Sequence, residues 1–117
     1  MSARVVALVP DLLFGSNVQG LLVAGGHEVT LVGSGAEAGE ALARGADVLL
    51  VDLTSDAAQR IAQVAALDLG DARTLGFFSH VEPDVRVAAL AAGFDLVVPR
   101  SRMNREGAEV VAALAAG

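Results

Sequence analysis

The chain has 117 residues, 54% of them hydrophobic and 19% charged, which supplies enough apolar surface for one folded domain over residues 1–117 and excludes intrinsic disorder. Eight basic residues, every one an arginine, stand against fourteen acids for a net charge of −6, so nucleic-acid binding is disfavoured by repulsion from phosphates. Cysteine is absent, which removes disulfides, thiolate metal sites and cysteine nucleophiles.

Taken in chain order, Arg4–Val9 (RVVALV) reads as a first strand and Leu12–Ala24 as the helix after it. Glu28–Val32 (EVTLV) and Ala36–Arg44 repeat the pair, as do Val48–Val51 (VLLV) and Asp56–Leu67. Thr74–Phe78 (TLGFF) precedes a helix over Pro83–Ala92, and Asp95–Val98 (DLVV) precedes one over Met103–Ala116. Several strands are almost continuously apolar, the pattern of parallel strands covered on both faces. The helical stretches are rich in Ala and Leu, and Gly25-Gly26, Gly45 and Gly93 sit where left-handed caps are wanted. No apolar run approaches the roughly 20 residues of a membrane span. Met1-Ser2-Ala3 leads straight into the first strand without a signal-like segment, so a cytoplasmic location and no membrane partner are expected.

Five strand–helix units with right-handed crossovers predict an α/β fold: a (βα)5 doubly wound five-stranded parallel sheet of order 2-1-3-4-5, flavodoxin-like or CheY-like. In such sheets ligands collect at the carboxyl ends of the strands. There the sequence brings Pro10-Asp11, Asp52-Leu53-Thr54, Ser79-His80 and Pro99-Arg100-Ser101. Asp11 and Asp52 would end adjacent strands about 5 Å apart. Carboxylates about 4 Å apart repel by about 4 kcal/mol at an effective dielectric near 20. A shared proton, a cation or divergent side chains must offset that, and Mg²⁺ held by Asp11 and Asp52 would do so. Alternatively Asp11 caps the first helix, whereas Ser55 and Asp56 stand better placed than Asp52 to cap the third. Ser79 could reach an oxyanion on Asp52. His80 reads as a surface residue, His27 falls far from this edge, and neither a zinc set nor a Ser-His-Asp triad is supported. Arg100 and Arg102 are expected to face solvent. Leu12, Leu13 and Phe14 cannot all lie beneath one helix face, and one of them is expected to cover the acidic site.

Taken together these residues resemble the response-regulator receiver domain, over the whole chain. The resemblance implies that Asp52 in VLLVDLTSD matches the phosphoacceptor, Asp11 the one remaining Mg²⁺-holding acid, and Ser79 in GFFSH the hydroxyl that bonds the phosphoryl group. Receivers carry a lysine before a proline after the fifth strand. Here Leu96-Val97-Val98-Pro99-Arg100 keeps Pro99 and lacks the lysine, and arginine is no simple substitute. Leu96 stands at the position matched to the aromatic switch. The pattern is that of a degenerate, pseudo-receiver type. It implies a non-enzymatic bacterial two-component signalling role through a protein partner in trans (a kinase or output protein), with phosphoryl acceptance weak or absent.

The surface that receivers offer to partners would include Arg86, Arg100, Arg102, Arg105 and Glu109, beside Asp84, Asp95 and Glu106. Mixed charge of this kind suits a homodimer with reciprocal ion pairs. Two alternatives stand: a working Mg²⁺-dependent phosphoacceptor, and a flavodoxin-like domain binding a small molecule or cofactor. The second lacks a Gly-x-Gly-x-x-Gly turn after the first strand.

Overall fold

The computed structural model describes residues 2–117. Strands and helices alternate as β1 Arg4–Leu8, α1 Leu12–Ala24, β2 Glu28–Val32, α2 Gly35–Ala43, β3 Val48–Asp52, α3 Ala57–Ala65, β4 Arg73–Phe78, α4 Pro83–Ala91, β5 Leu96–Pro99 and α5 Arg100–Ala116. The strands form one five-stranded sheet of order β2-β1-β3-β4-β5, parallel at every pairing. This is the architecture expected from the sequence. No helix among the described residues is long and apolar enough to cross a membrane.

The near-continuous apolarity of the strands has a direct physical cause. Side chains alternate across a sheet, so each strand feeds two cores. Val5, Ala7 and Val9, with Val48, Leu50, Leu75, Phe77 and Val98, pack beneath Phe14, Val18 and Leu22 of α1 and Met103, Val110 and Val111 of α5. Val6, Leu8, Leu49, Val51, Phe78 and Val97 face the other way, against Ala38 and Leu42 of α2, Val64 of α3 and Ala89 of α4. Burying each large side chain contributes about 1.5–3 kcal/mol.

One device sets the register twice. Asp47, just before β3, accepts the Arg4 amide proton at 2.8 Å and gives its own amide to the Arg4 carbonyl. Asp95, just before β5, does the same for Thr74, with the amide at 2.8 Å and the hydroxyl at 3.2 Å. Asp95 therefore fastens β5 to β4, a fold role that its place among the expected surface charges did not suggest. At the helix ends Gly45 and Gly93 take φ values of 95° and 107°, the left-handed turn expected of them.

Boundaries agree with the sequence reading to within about two residues, except at α5. That helix starts at Arg100 rather than Met103. Pro99, at φ −63° and ψ 148°, occupies the N-cap position and launches the helix straight from the strand. The helix kinks at Glu106 (φ −132°, ψ 16°), one residue before Gly107, which lies against Leu21 of α1 and Met103. At the same end of α1, its C-cap Gly25 lies directly against Ala108. His27 bolts the same region. Its Nδ1 accepts from the Ala3 amide at 3.0 Å and its Nε2 donates to the Ala108 carbonyl at 2.9 Å, a tautomer set by those partners.

Candidate functional site at the carboxyl edge of the sheet

Asp52 is the last residue of β3 and is only 3% exposed. It ends a strand of which every residue is buried, between β1 and β4. Its neighbours account for one of its oxygens: Oδ1 accepts the Thr54 amide proton at 2.8 Å and the Thr54 hydroxyl at 2.6 Å. A carboxylate bonding its own backbone two residues on is a local turn, and 2.6 Å is the length of a charge-assisted O–H···O⁻ bond. The aspartate that would accept a phosphoryl group thus clasps its own loop.

Behind that loop lies a buried cation that the sequence reading did not single out. Arg60 of α3 is 7% exposed. Its Nε donates to the Asp52 main-chain carbonyl at 3.4 Å and its terminal nitrogen to Gln63 Oε1 at 3.3 Å. Both ion pairs seen among the described residues lie elsewhere, Arg4–Glu28 and Arg102–Glu106. The expectation that Ser55 and Asp56 cap α3 is not met. Asp56 holds the N-cap position in a left-handed conformation, φ 50°, and makes no side-chain cap bond.

Asp11 takes the capping role instead. It is exposed, and its Oδ1 accepts the Phe14 amide proton at 2.9 Å at the start of α1. Of the three bulky residues after it, Leu12 and Leu13 stay 79% and 77% exposed and Phe14 is buried. Phe14 enters the core under α1 and α5, edge-on to Phe77 at 5.4 Å between ring centroids. Arg100 corrects another expectation. Its guanidinium lies 3.8 Å over the Phe14 ring, a cation–π contact, so although exposed it is not simply solvated.

Strand register aligns the remaining groups. Asp52 pairs with Phe77, and Phe77 with Val98. Val98, where the resemblance wants a lysine, points into the core at 2% exposure. Ser79 follows β4 and is half-buried, while His80 is exposed. Thr54, Ser79, His80, Glu82, Arg100, Ser101 and Asn104 line one open cleft of ≈ 440 Å³. The structure thus gathers Ser79 and Arg100 with Thr54, the residue that clasps Asp52. Leu96 is half-buried, paired with Leu75 and packed on the core beneath α5. Pro99 is half-buried at the β5–α5 junction. Arg86, Arg102, Arg105 and Glu109 are exposed on α4 and α5, with Arg102 held by Glu106 at 3.2 Å.

Sequence reasoning placed Thr54 and Ser101 at this edge without a side-chain role, and missed Arg60 and Asn104 altogether. The Asp-Leu-Thr spacing was the available signal for Thr54, since Asp commonly bonds the backbone two residues on. Nothing local signals Arg60, because its burial is produced by α3 packing on the sheet.

As donors for a metal, Asp11 and Asp52 each have one oxygen already accepting from the chain. Among the described residues no three His, Cys, Asp or Glu side chains gather into a metal-holding group. Mg²⁺ takes one or two carboxylates and keeps its waters. By donor chemistry alone, the second carboxylate oxygen of Asp11 or of Asp52 would suit a largely hydrated ion of this kind.

No protein-family model and no curated protein matches the chain. Among solved structures, a response regulator from Thermotoga maritima superposes with a TM-score of 0.84 at 16% identity over 100% of both chains. The receiver domain of a sensor histidine kinase from Pseudomonas aeruginosa, which has a magnesium ion coordinated in its active-site cleft, gives 0.78 at 16% identity, again over 100% of both. A CheY-like receiver domain from Methylobacillus flagellatus gives 0.75 at 18% identity over 97% of this chain and 99% of that one. The fold is that of receiver domains.

Proposed function

We propose that this chain, with the fold of a receiver domain as its premise, is a signalling module of the pseudo-receiver type, non-enzymatic, cytoplasmic and working through contact with a protein partner. Phosphoryl acceptance at Asp52 is weak or absent. One observation carries the reading: the Asp52 carboxylate is buried and clasped by Thr54, while the cation nearest in role, Arg100, is stacked on Phe14. A phosphoryl group on Oδ1 would have to displace the Thr54 hydroxyl, and the position that would supply an ammonium is the buried Val98. Charge developing on phosphoryl oxygens needs positioned donors, and this edge offers hydroxyls, an amide and a guanidinium stacked on Phe14 but no ammonium. The mixed-charge surface of Arg86, Arg102, Arg105 and Glu109 remains available to a partner or a second copy.

A Mg²⁺-dependent phosphoacceptor is the competing reading. It draws on the common cleft of Ser79 and Thr54 and on the carboxylates of Asp11 and Asp52, which would hold the ion. An ion there would supply positive charge to offset their repulsion. An amide NMR titration with Mg²⁺ and then beryllofluoride separates the two. The pseudo-receiver reading expects little response at millimolar reagent. Shifts centred on Asp11, Asp52 and Ser79 that vanish in Asp52→Asn would replace it with the phosphoacceptor.

A further inference from the structure

Among the described residues the fold buries two formally charged side chains, Asp52 at 3% exposure and Arg60 at 7%. They carry opposite charges and meet at the carboxyl end of β3, where Arg60 Nε donates to the Asp52 main-chain carbonyl at 3.4 Å. They do not form an ion pair with each other. The ion pairs among the described residues are Arg4–Glu28 and Arg102–Glu106.

A guanidinium carries five N–H donors. Arg60 uses one on the Asp52 carbonyl and another on Gln63 Oε1 at 3.3 Å. Both bonds are long for N–H···O contacts, and neither acceptor is charged. Such bonds are a weak reason to bury a cation, because taking an unpaired charge out of water is costly. Electrostatics supplies a stronger reason. Covalent dimensions keep an aspartate's carboxylate within about 5 Å of its own main-chain oxygen, so Nε stands within about 9 Å of the Asp52 carboxylate. Buried charges at such a separation are screened little by salt. The other charged groups of this edge, Asp11, Asp56, Glu82 and Arg100, are all exposed and are screened much more.

We infer that Arg60 is the resident countercharge of the acidic edge: a fixed cation built into α3 that offsets the Asp52 carboxylate and thereby lowers the affinity of this edge for Mg²⁺. The offset that a divalent ion would bring is partly present in the fold already. A unit charge within about 10 Å of a divalent ion alters its affinity by at least about fourfold, even at the dielectric of water. The inference holds whether or not Asp52 accepts a phosphoryl group.

An amide NMR titration with MgCl₂ alone tests it, on the wild type and two variants. Arg60→Met removes the charge and keeps a long apolar stem. Arg60→Lys keeps the charge and gives up the planar fork. Arg60→Met is expected to bind Mg²⁺ at least about fourfold more tightly than wild type, with shifts centred on Asp52, and Arg60→Lys to bind as wild type does. Adding Asp52→Asn to Arg60→Met should abolish the gain. An Arg60→Met chain that binds no more tightly than wild type, whatever its stability, overturns the inference. So does the absence of any Mg²⁺ response from every variant at tens of millimolar. An equal gain in Arg60→Lys overturns it too, because hydrogen bonding to the Asp52 carbonyl, and not charge, would then be responsible. If Arg60→Met does not fold, Arg60→Gln, neutral and polar, takes its place in the same comparison. The inference stands on the ratio between variants, whereas the reading of Asp52 stands on the beryllofluoride response of the wild type, so the two fail separately.

Discussion

Replacing Thr54 with valine is the sharpest perturbation of the site. The substitution keeps the branched shape and the Thr54 amide bond to Asp52 Oδ1 at 2.8 Å, and deletes only the 2.6 Å hydroxyl bond. A hydrogen bond to a charged group is worth about 1.5–3 kcal/mol, and any ligand that needs Oδ1 must give it up. Removing that competitor should raise the affinity of Asp52 for beryllofluoride with Mg²⁺ by about 10–150-fold. The same deletion weakens the β3–α3 loop, so the melting temperature should fall by several degrees. Isothermal titration calorimetry and thermal unfolding on the two proteins measure both quantities. Opposite movement, tighter binding with lower stability, is the signature of a clasp. If Thr54→Val bound no better than wild type, or lost binding and stability together, the argument that Thr54 blocks Asp52 would be wrong.

Other perturbations probe the supports of the site. Asp11→Ala deletes the Phe14 cap and should cost about 1 kcal/mol in urea unfolding; if repulsion from Asp52 dominated, the sign would reverse. His27→Phe keeps a ring at a 4% exposed site but strips partners from the Ala3 amide and the Ala108 carbonyl. It should lower stability by about 2–4 kcal/mol, and a change under about 0.5 kcal/mol would show that the bolt is unimportant. Gly76→Ala places a methyl group 2.7 Å from Leu53 Cδ1 and 3.1 Å from Phe94. Overpacking of that kind should cost about 1–3 kcal/mol and shift the amide resonances of Asp52 and Thr54, which flank Leu53.

The parallel sheet and its order were legible in the sequence because apolar runs at strand length, helical spacing and glycine caps are local signals. Connection handedness then leaves few topologies. Asp52, Ser79 and Pro99 were readable for the same reason: a strand end is a position along the chain. Side-chain partnership was not readable. Asp11 turned into its own helix, Asp52 onto Thr54, and Arg100 onto a phenylalanine brought to it by the packing of α1 against α5. Arg60 was invisible because a guanidinium becomes buried only when α3 is laid on the sheet. His27, which read as remote from the site, proved to bond the Ala3 amide just before the first strand and, 81 residues further along the chain, the Ala108 carbonyl of the last helix. Sequence alone determined which groups arrive at the carboxyl edge, since backbone periodicity decides where strands stop. Tertiary structure decided which of them remain free to act, since hydrogen bonds and stacking depend on distances that only packing sets.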